Sequence, residues 1–331
     1  MNDFYKYLIK SKSEVVESKT EYNDSDLGRA LGATQFAVHW MTLKPGQRTS
    51  SPHAESIEEE FIYVIKGNPH VWVNGYIYPL TAGHAVGFPA GTGIAHTFIN
   101  NTNEDIEMVI LGERGKKENK CSFPVNPELY EEHKNIWWRD FPKQDFGPHD
   151  GKVGDLNHLK DPNDLAFVKS VHNIKRTTYN YPGDSETFTQ GIRLTDHTGL
   201  KVVGVWHEVL LPGQRTSWPH AHKVEEEFCL ILKGNPQVWL NGYLYNLNPG
   251  DGVFFSPGTN IAHTIMNNSK ENVEYIGIGQ ANSDMIQDQI YYPLHPARNL
   301  ECKEKNYFWE ERPEVTHFGE HDGKPNTIVN F

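Results

Sequence analysis

The chain has 331 residues, 37% of them hydrophobic, with 31 Lys plus Arg against 43 Asp plus Glu and a formal net charge of −12. This length admits two domains and a substantial core, whereas an acidic chain without a basic run is a poor match for nucleic acid or an anionic membrane surface. Cys121, Cys229 and Cys302 are widely spaced and form no Cys-x-x-Cys pair, the amino-terminal residues lack a signal peptide's apolar core, and no stretch reaches transmembrane length, so a reduced, cytoplasmic setting is expected.

In chain order, residues 11–28 are polar and are expected to pack only locally. Residues 34–43 read as a strand leading into Gly46-Gln47-Arg48-Thr49-Ser50, after which come His53, Glu55 and Glu60. Phe61-Ile62-Tyr63-Val64-Ile65 is a short apolar run bounded by Gly67 and Pro69, which is a strand signal. Val71-Trp72-Val73 then meets Tyr76-Ile77-Tyr78 across Asn74-Gly75, a pair suited to a tight hairpin because both central residues need positive φ. Gly83 precedes a strand at residues 85–88, and His96 ends the block Phe-Pro-Ala-Gly-Thr-Gly-Ile-Ala-His. Several short strands separated by such turns predict a barrel or double-sheet jelly roll. The tail that follows holds Trp137-Trp138 and Phe146-Gly147-Pro148-His149-Asp150-Gly151-Lys152, and it is expected to cap the barrel, with His149 solvated or capping. Residues 152–163 have linker composition and divide the chain into domains at 1–160 and 161–331.

The second half repeats the first. An offset of 167 aligns residues 46–101 with 213–268 without a gap, and 34 of those 56 positions are identical, which means two like domains. The tail recurs as Phe318-Gly319-Glu320-His321-Asp322-Gly323-Lys324. In the second copy His220, His222, Glu227 and His263 form the candidate cage. Residues two apart on a strand share a face, so both imidazoles of His220-Ala221-His222 point into one barrel. Three imidazoles and one carboxylate suit a divalent first-row metal and leave positions for water or substrate. The same offset gives His53, Glu55, Glu60 and His96 in the first copy, where a glutamate replaces one histidine. That set reads either as a second metal site or as a scaffold that stabilises its partner. The neighbouring acids of each triplet, Glu58-Glu59-Glu60 and Glu225-Glu226-Glu227, are expected to be solvated.

Gly213, His220, His222, Glu227 and Gly234 match the first cupin motif, G-x5-H-x-H-x(3,4)-E-x6-G, with one extra residue after the first glycine; Gly250, Pro257, Gly258, His263 and Asn267 follow the second more loosely. The chain therefore resembles the cupin superfamily, and the repeat makes it similar to a bicupin. It is most similar to microbial bicupins carrying the residue 88–96 block and without a settled activity, and more distantly to oxalate decarboxylase and quercetin dioxygenase bicupins. The resemblance implies an all-β fold, two tandem jelly-roll barrels with a few short helices. It also implies a divalent metal (iron, manganese, zinc, nickel or copper) in the second barrel, with the first left open, and a small-molecule substrate or ligand. The leading expectation is a metal-dependent oxidoreductase of dioxygenase type, with Glu227 as metal ligand or as general base. The alternatives are a non-enzymatic, sugar-like binding bicupin and a metal-dependent isomerase or decarboxylase. Trp206, His207 and Trp218 are candidates for a substrate wall. Arg48 and Arg215 either grip an anion or hold their own loops. The two halves are expected to form an intramolecular pseudo-dimer or to assemble as a homo-oligomer.

Overall fold

The structure is a computed structural model that describes residues 3–15, 23–281 and 287–326. The period-two apolar runs fold into two facing antiparallel sheets in each half. The larger sheet of the first half runs in the order Val168–Ser170, His84–Phe88, Glu60–Lys66, Ile106–Glu113, Phe36–Leu43 and Asn23–Asp26. Its smaller partner is Tyr76–Pro79, His70–Val73 and His96–Ile99. In the second half the larger sheet is Ile9–Ser11, Asp251–Phe255, Glu227–Lys233, Val273–Gln280, Val203–Leu210, Gln190–Arg193 and Thr177–Thr178, facing Tyr243–Asn246, Gln237–Leu240 and His263–Met266. Apolar side chains fill the space between the sheets, among them Val64, Val71, Val86 and Phe98 in one barrel and Ile231, Val238, Val253 and Ile265 in the other. Helices are few and short, so the expected all-β pair of jelly-roll barrels is what forms.

The hairpins form where Asn-Gly stands. Asn74 and Gly75 have φ of 45° and 86°, and Asn241 and Gly242 have 44° and 87°, the left-handed pair that a two-residue turn requires. The tails pack against these turns. A Cβ on Gly75 would strike the Gly147 carbonyl, and one on Gly242 the Gly319 carbonyl. Trp72 donates its indole N–H to the His149 carbonyl at 2.9 Å, and Trp239 does the same to His321 at 2.8 Å. His149 is buried and accepts the Gly151 N–H through Nδ1, so it caps the tail and does not close over a site.

Two expectations fail here. Part of the polar segment at 11–28 packs at long range. Ile9–Ser11 pairs with the second barrel's Asp251–Val253, Lys12 reaches Glu107 of the first barrel at 2.7 Å, and Asn23–Asp26 adds a strand beside His39–Thr42; residues 16–22 lie outside the described residues. In return, Val168–Ser170 pairs with His84–Val86, so each larger sheet is extended by a strand from upstream of the other barrel. Nor are the spare acids solvated. Glu59 and Glu226 are each 3% exposed. Glu226 accepts the Thr34 N–H at 3.0 Å, the Thr34 hydroxyl at 2.5 Å and the Gln35 N–H at 2.9 Å. Glu59 accepts the N–H groups of Lys201, Val202 and Val203 at 2.8–3.1 Å. Around these crossed anchors, Phe36, Val38, Phe61 and Leu111 pack with Val203, Val205, Phe228 and Ile278 in one shared apolar cluster. The halves thus satisfy each other as a pseudo-dimer within one chain.

Glu226→Ala leaves three donors, the Thr34 N–H and hydroxyl and the Gln35 N–H, without their buried acceptor and should cost about 2 kcal/mol. Glu226→Gln, which keeps one acceptor oxygen, should lose less. Urea unfolding of the two variants measures the difference, and equal loss would deny the anchoring role.

Candidate metal centres

In the second barrel each ligand is placed by strand geometry. Glu227 opens the strand Glu227–Lys233 of the larger sheet and His263 opens His263–Met266 of the smaller, so both side chains stand at the mouth between the sheets. His220 is tied to His263 by reciprocal backbone hydrogen bonds of 3.2 and 2.9 Å. His222 sits on the short strand Ala221–His222, which pairs with Ile290–Tyr291. The three Nε2 atoms converge on one oxygen, Glu227 Oε2, at 2.8 Å from His263, 3.3 Å from His222 and 3.9 Å from His220. The outer nitrogens of His220 and His222 are held, and that of His263 is buried without a hydrogen-bond partner. His220 Nδ1 donates to the Trp218 carbonyl at 2.8 Å and His222 Nδ1 to Asp288 at 2.5 Å, while Phe255 stacks on His263 with 3.7 Å between ring centres.

This set fits a divalent cation. Ring nitrogens fixed from behind by a carbonyl and a carboxylate leave their Nε2 lone pairs facing inward, the usual arrangement of metal-binding imidazoles. His222 Nε2 is buried with no hydrogen-bond partner, an uncompensated polar atom that a cation would satisfy. Burial alone would depress the His222 imidazolium, but Glu227 and Asp288 outweigh it and raise its pKa to about 9. At His220 burial wins, helped by the facing imidazoles, and the pKa falls to about 3. Glu227 stays ionised in spite of burial because His222 and His263 hold its carboxyl well below the usual range.

The first barrel brings together His53, Glu60 and His96, with Glu60 Oε2 at 2.7 Å from His96 Nε2 and 3.7 Å from His53 Nε2. His53 Nδ1 donates to the Ser51 carbonyl at 2.9 Å, as His220 does to Trp218. Glu55 lies at the edge of this group, Oε1 3.8 Å from His53 Nε2, and it is held by Asn119 and by the Cys121 thiol.

The barrels differ in what lies beneath the ligands. A cavity of about 500 Å³ opens beside His220, Glu227 and His263, and its wall includes Thr189, Trp206, Glu208, Cys229, Phe255 and Tyr275. Thr189 donates to Glu208 Oε2 at 2.6 Å and also engages the Tyr275 hydroxyl. Gly191 makes room for this acid, since a Cβ there would lie 2.5 Å from Glu208 Oε1. Burial pushes the Glu208 carboxyl above its usual range. The equivalent positions in the first barrel are Met41, Ile62 and Met108 in place of Glu208, Cys229 and Tyr275, and all three are buried.

Of the proposed wall, Trp206 lines the cavity, whereas His207 points away from it and takes a hydrogen bond from Arg176 at 3.0 Å. Trp218 is stacked between Tyr181 and His295. Arg215 is fully buried and already clamped by Glu186 through two contacts of 2.7 Å, and Arg48 reaches the Gly151 carbonyl, so both hold their own chain. Sequence reasoning missed Asp288 and Asn119, which lie outside the ungapped repeat, and Glu208 and Tyr275, whose signal was the change from methionine at equivalent positions.

A family model described as a cupin domain matches residues 39–112 and again 206–279. The chain is a bicupin, with two tandem domains of the cupin superfamily. Among curated proteins it is similar to "Polyketide synthase CurC" of Streptomyces cyaneus, 33% identical over 79 residues, covering 24% of this chain and 49% of that one, so the match takes in about half of the relative's length. Among solved structures it is similar to an oxalate decarboxylase from Bacillus subtilis (TM-score 0.57, 14% identity, 93% of this chain and 87% of that one). It is also similar to the oxalate decarboxylase of Lactobacillus farciminis in a formate complex (TM-score 0.56, 16% identity, 92% and 96%). At such identities the likeness is one of fold.

Metal uptake by the second barrel should strengthen about tenfold per pH unit until pH nears 9, because binding must expel the proton that His222 holds below its raised pKa of about 9. Asp288→Asn should weaken binding about ten- to a hundredfold and flatten that slope. Competition titrations with a chromophoric chelator across pH measure both, and an unchanged slope in the variant would remove Asp288 from the role.

Proposed function

We propose that this bicupin is a metal-dependent enzyme acting on a small organic molecule, with its reaction centre in the second barrel and an oxidoreductase of dioxygenase type as the reaction class. The observation that carries the reading is the cavity of about 500 Å³ beside His220, Glu227 and His263, where the first barrel is packed with Met41, Ile62 and Met108. Residues His220, His222, Glu227 and His263 would hold the metal. When bound, a redox-active metal there supplies Lewis acidity and a centre for electron exchange with dioxygen.

The chain's own side chains do the rest. Phe255 and Trp206 present aromatic faces to a carbon skeleton, and Glu208, Thr189 and Tyr275 present hydrogen-bonding groups to its polar end. Glu227, kept anionic by His222 and His263, would serve as a ligand or, released from the metal, as a general base. A cavity of this volume is in the range that takes ligands far larger than a two-carbon acid, which supports a different substrate from that in the names of the oxalate-degrading structural relatives. An oxygen-bearing aromatic or diketone fits the mixed lining, and the name of the Streptomyces cyaneus relative, a polyketide synthase, points the same way. Among the described residues no helix is long and apolar enough to cross a membrane.

The test is oxygen uptake by protein reconstituted separately with iron, manganese, nickel or copper and offered polyphenols and 1,3-diketones. Wild type should consume oxygen, His222→Ala should lose at least a hundredfold in turnover, and Glu208→Met should raise KM more than it lowers kcat. Product formation without oxygen uptake would overturn the oxidoreductase class, with carbon dioxide release then marking a decarboxylase and its absence an isomerase.

A further inference from the structure

The two barrels differ at one ligand position, Glu55 against His222, and the residue behind that position differs with it. Asn119 stands behind Glu55 and Asp288 behind His222. Their offset is 169, two more than the repeat's, so an ungapped comparison does not align them. The structure does. Cys121 pairs with Glu55 and Ile290 with His222, and Asn119 and Asp288 each lie two residues before that partner. Each also caps the same turn. Asn119 Oδ1 accepts the Ile57 N–H at 3.1 Å, and Asp288 Oδ1 accepts the N–H of Val224, the repeat equivalent of Ile57, at 2.8 Å.

With one oxygen committed to the backbone, the other terminal atom of each holder faces the ligand. In Asn119 that atom is the amide nitrogen, a donor, and it bonds the carboxylate of Glu55. In Asp288 it is a carboxylate oxygen, an acceptor, and it takes the Nδ1–H of His222 at 2.5 Å. The polarity of the holder is inverted together with the polarity of the ligand. The Cys121 thiol adds a second donor to Glu55 at 3.4 Å, where the second barrel has Ile290. Glu55 Oε1 is left 3.8 Å from His53 Nε2, at the edge of the His53, Glu60 and His96 cluster, whose ligand atoms lie within 4.8 Å of one another. Holder and ligand have thus changed together, in a barrel that keeps His53, Glu60 and His96 gathered as a cluster able to hold a cation.

We propose that the first barrel is a second cation site of different character, built from His53, Glu55, Glu60 and His96, and that the pairs Glu55–Asn119 and His222–Asp288 set which cation each barrel takes. This rests on the reading above only in treating the second cluster as a metal site. Two carboxylates balance the charge of a divalent ion and favour a harder one such as manganese(II), whereas three imidazoles favour zinc, nickel or copper and leave residual positive charge to act on a substrate. The apolar packing under the first site, with Met41, Ile62 and Met108, suits an ion that stays in place.

The experiment is a two-by-two cycle at the first barrel: wild type, Glu55→His, Asn119→Asp and the double variant. Each is stripped by chelator, dialysed against equal manganese and zinc and analysed by mass spectrometry, with copper(II) electron paramagnetic resonance on parallel samples. Asn119→Asp keeps the backbone cap but sets a carboxylate against Glu55, and Glu55→His sets an imidazole N–H against an amide donor, so each single change should weaken the first site about ten- to a hundredfold. The double variant should recover occupancy, shift its preference from manganese to zinc, and show three coordinated nitrogens in place of two. Occupancy of the second barrel serves as the internal control for folding. Wild type in which only the second barrel ever fills, or single variants that bind as wild type does, would overturn this proposal and leave the enzyme reading intact. Empty barrels under every cation would overturn both.

Discussion

A buried carboxylate between the barrels and a half-buried carboxylate inside them come from adjacent residues in the chain, and this alternation governs the molecule. Side chains on a strand point to opposite faces in turn. Once Glu227 faces the barrel interior, Glu226 must face out of it, and the outward face is where the other barrel lies. The same holds for Glu60 and Glu59. Neither outward acid could be buried alone, because an unpaired carboxylate in an apolar interface is too costly to desolvate. Backbone N–H groups at the start of the other barrel meet that need, and residues 34–35 and 201–203 are thereby fixed in position. The strands that follow them, Phe36–Leu43 and Val203–Leu210, carry Met41 and Glu208 into the two interiors. Pseudo-dimer and site are therefore set by one register, and a one-residue slip of either strand would exchange ligand for anchor.

How much of this was legible follows from what each signal depends on. That His220, His222, Glu227 and His263 come together was legible because their spacing is fixed by strand period and by the short turns around it, both local. The Asn-Gly hairpins were legible for the same reason. Glu59 and Glu226 were read as solvated because period two gives the face of a side chain but not what covers that face. The strands exchanged at Ile9–Ser11 and Val168–Ser170 carry little apolar pattern of their own and are ordered by pairing with distant edges. Arg215 left two readings open, since a bidentate partner contributed by Glu186 is invisible to a comparison of the repeats with each other.

Asp288 and Asn119 were hidden for a more instructive reason. They lie in the loops just before the short strands Cys121–Ser122 and Ile290–Tyr291, beyond the aligned block, where the two copies differ in length, and the signal is a compensation between two positions. Neither residue means anything alone. Paired with its ligand, each obeys a simple rule, an acceptor behind an imidazole N–H and a donor behind a carboxylate.

The same logic separates the two interiors. Duplication supplies two equal barrels, and a cavity in only one of this pair then requires that one of them be filled or the other emptied. In the second barrel the exchange of Met41 and Met108 for Glu208 and Tyr275 puts two polar groups opposite each other on neighbouring strands, and Gly191 on the next strand leaves space for the acid. Polar groups facing a cavity remain satisfied only if something polar occupies it, water or ligand. Thr189 engages both of them without closing the space, so both still line the cavity. The first barrel gains packing from its methionines and loses that capacity. A packed interior under one candidate cation cluster and an open, polar-ended one under the other is the difference on which the proposed division between stability and chemistry rests.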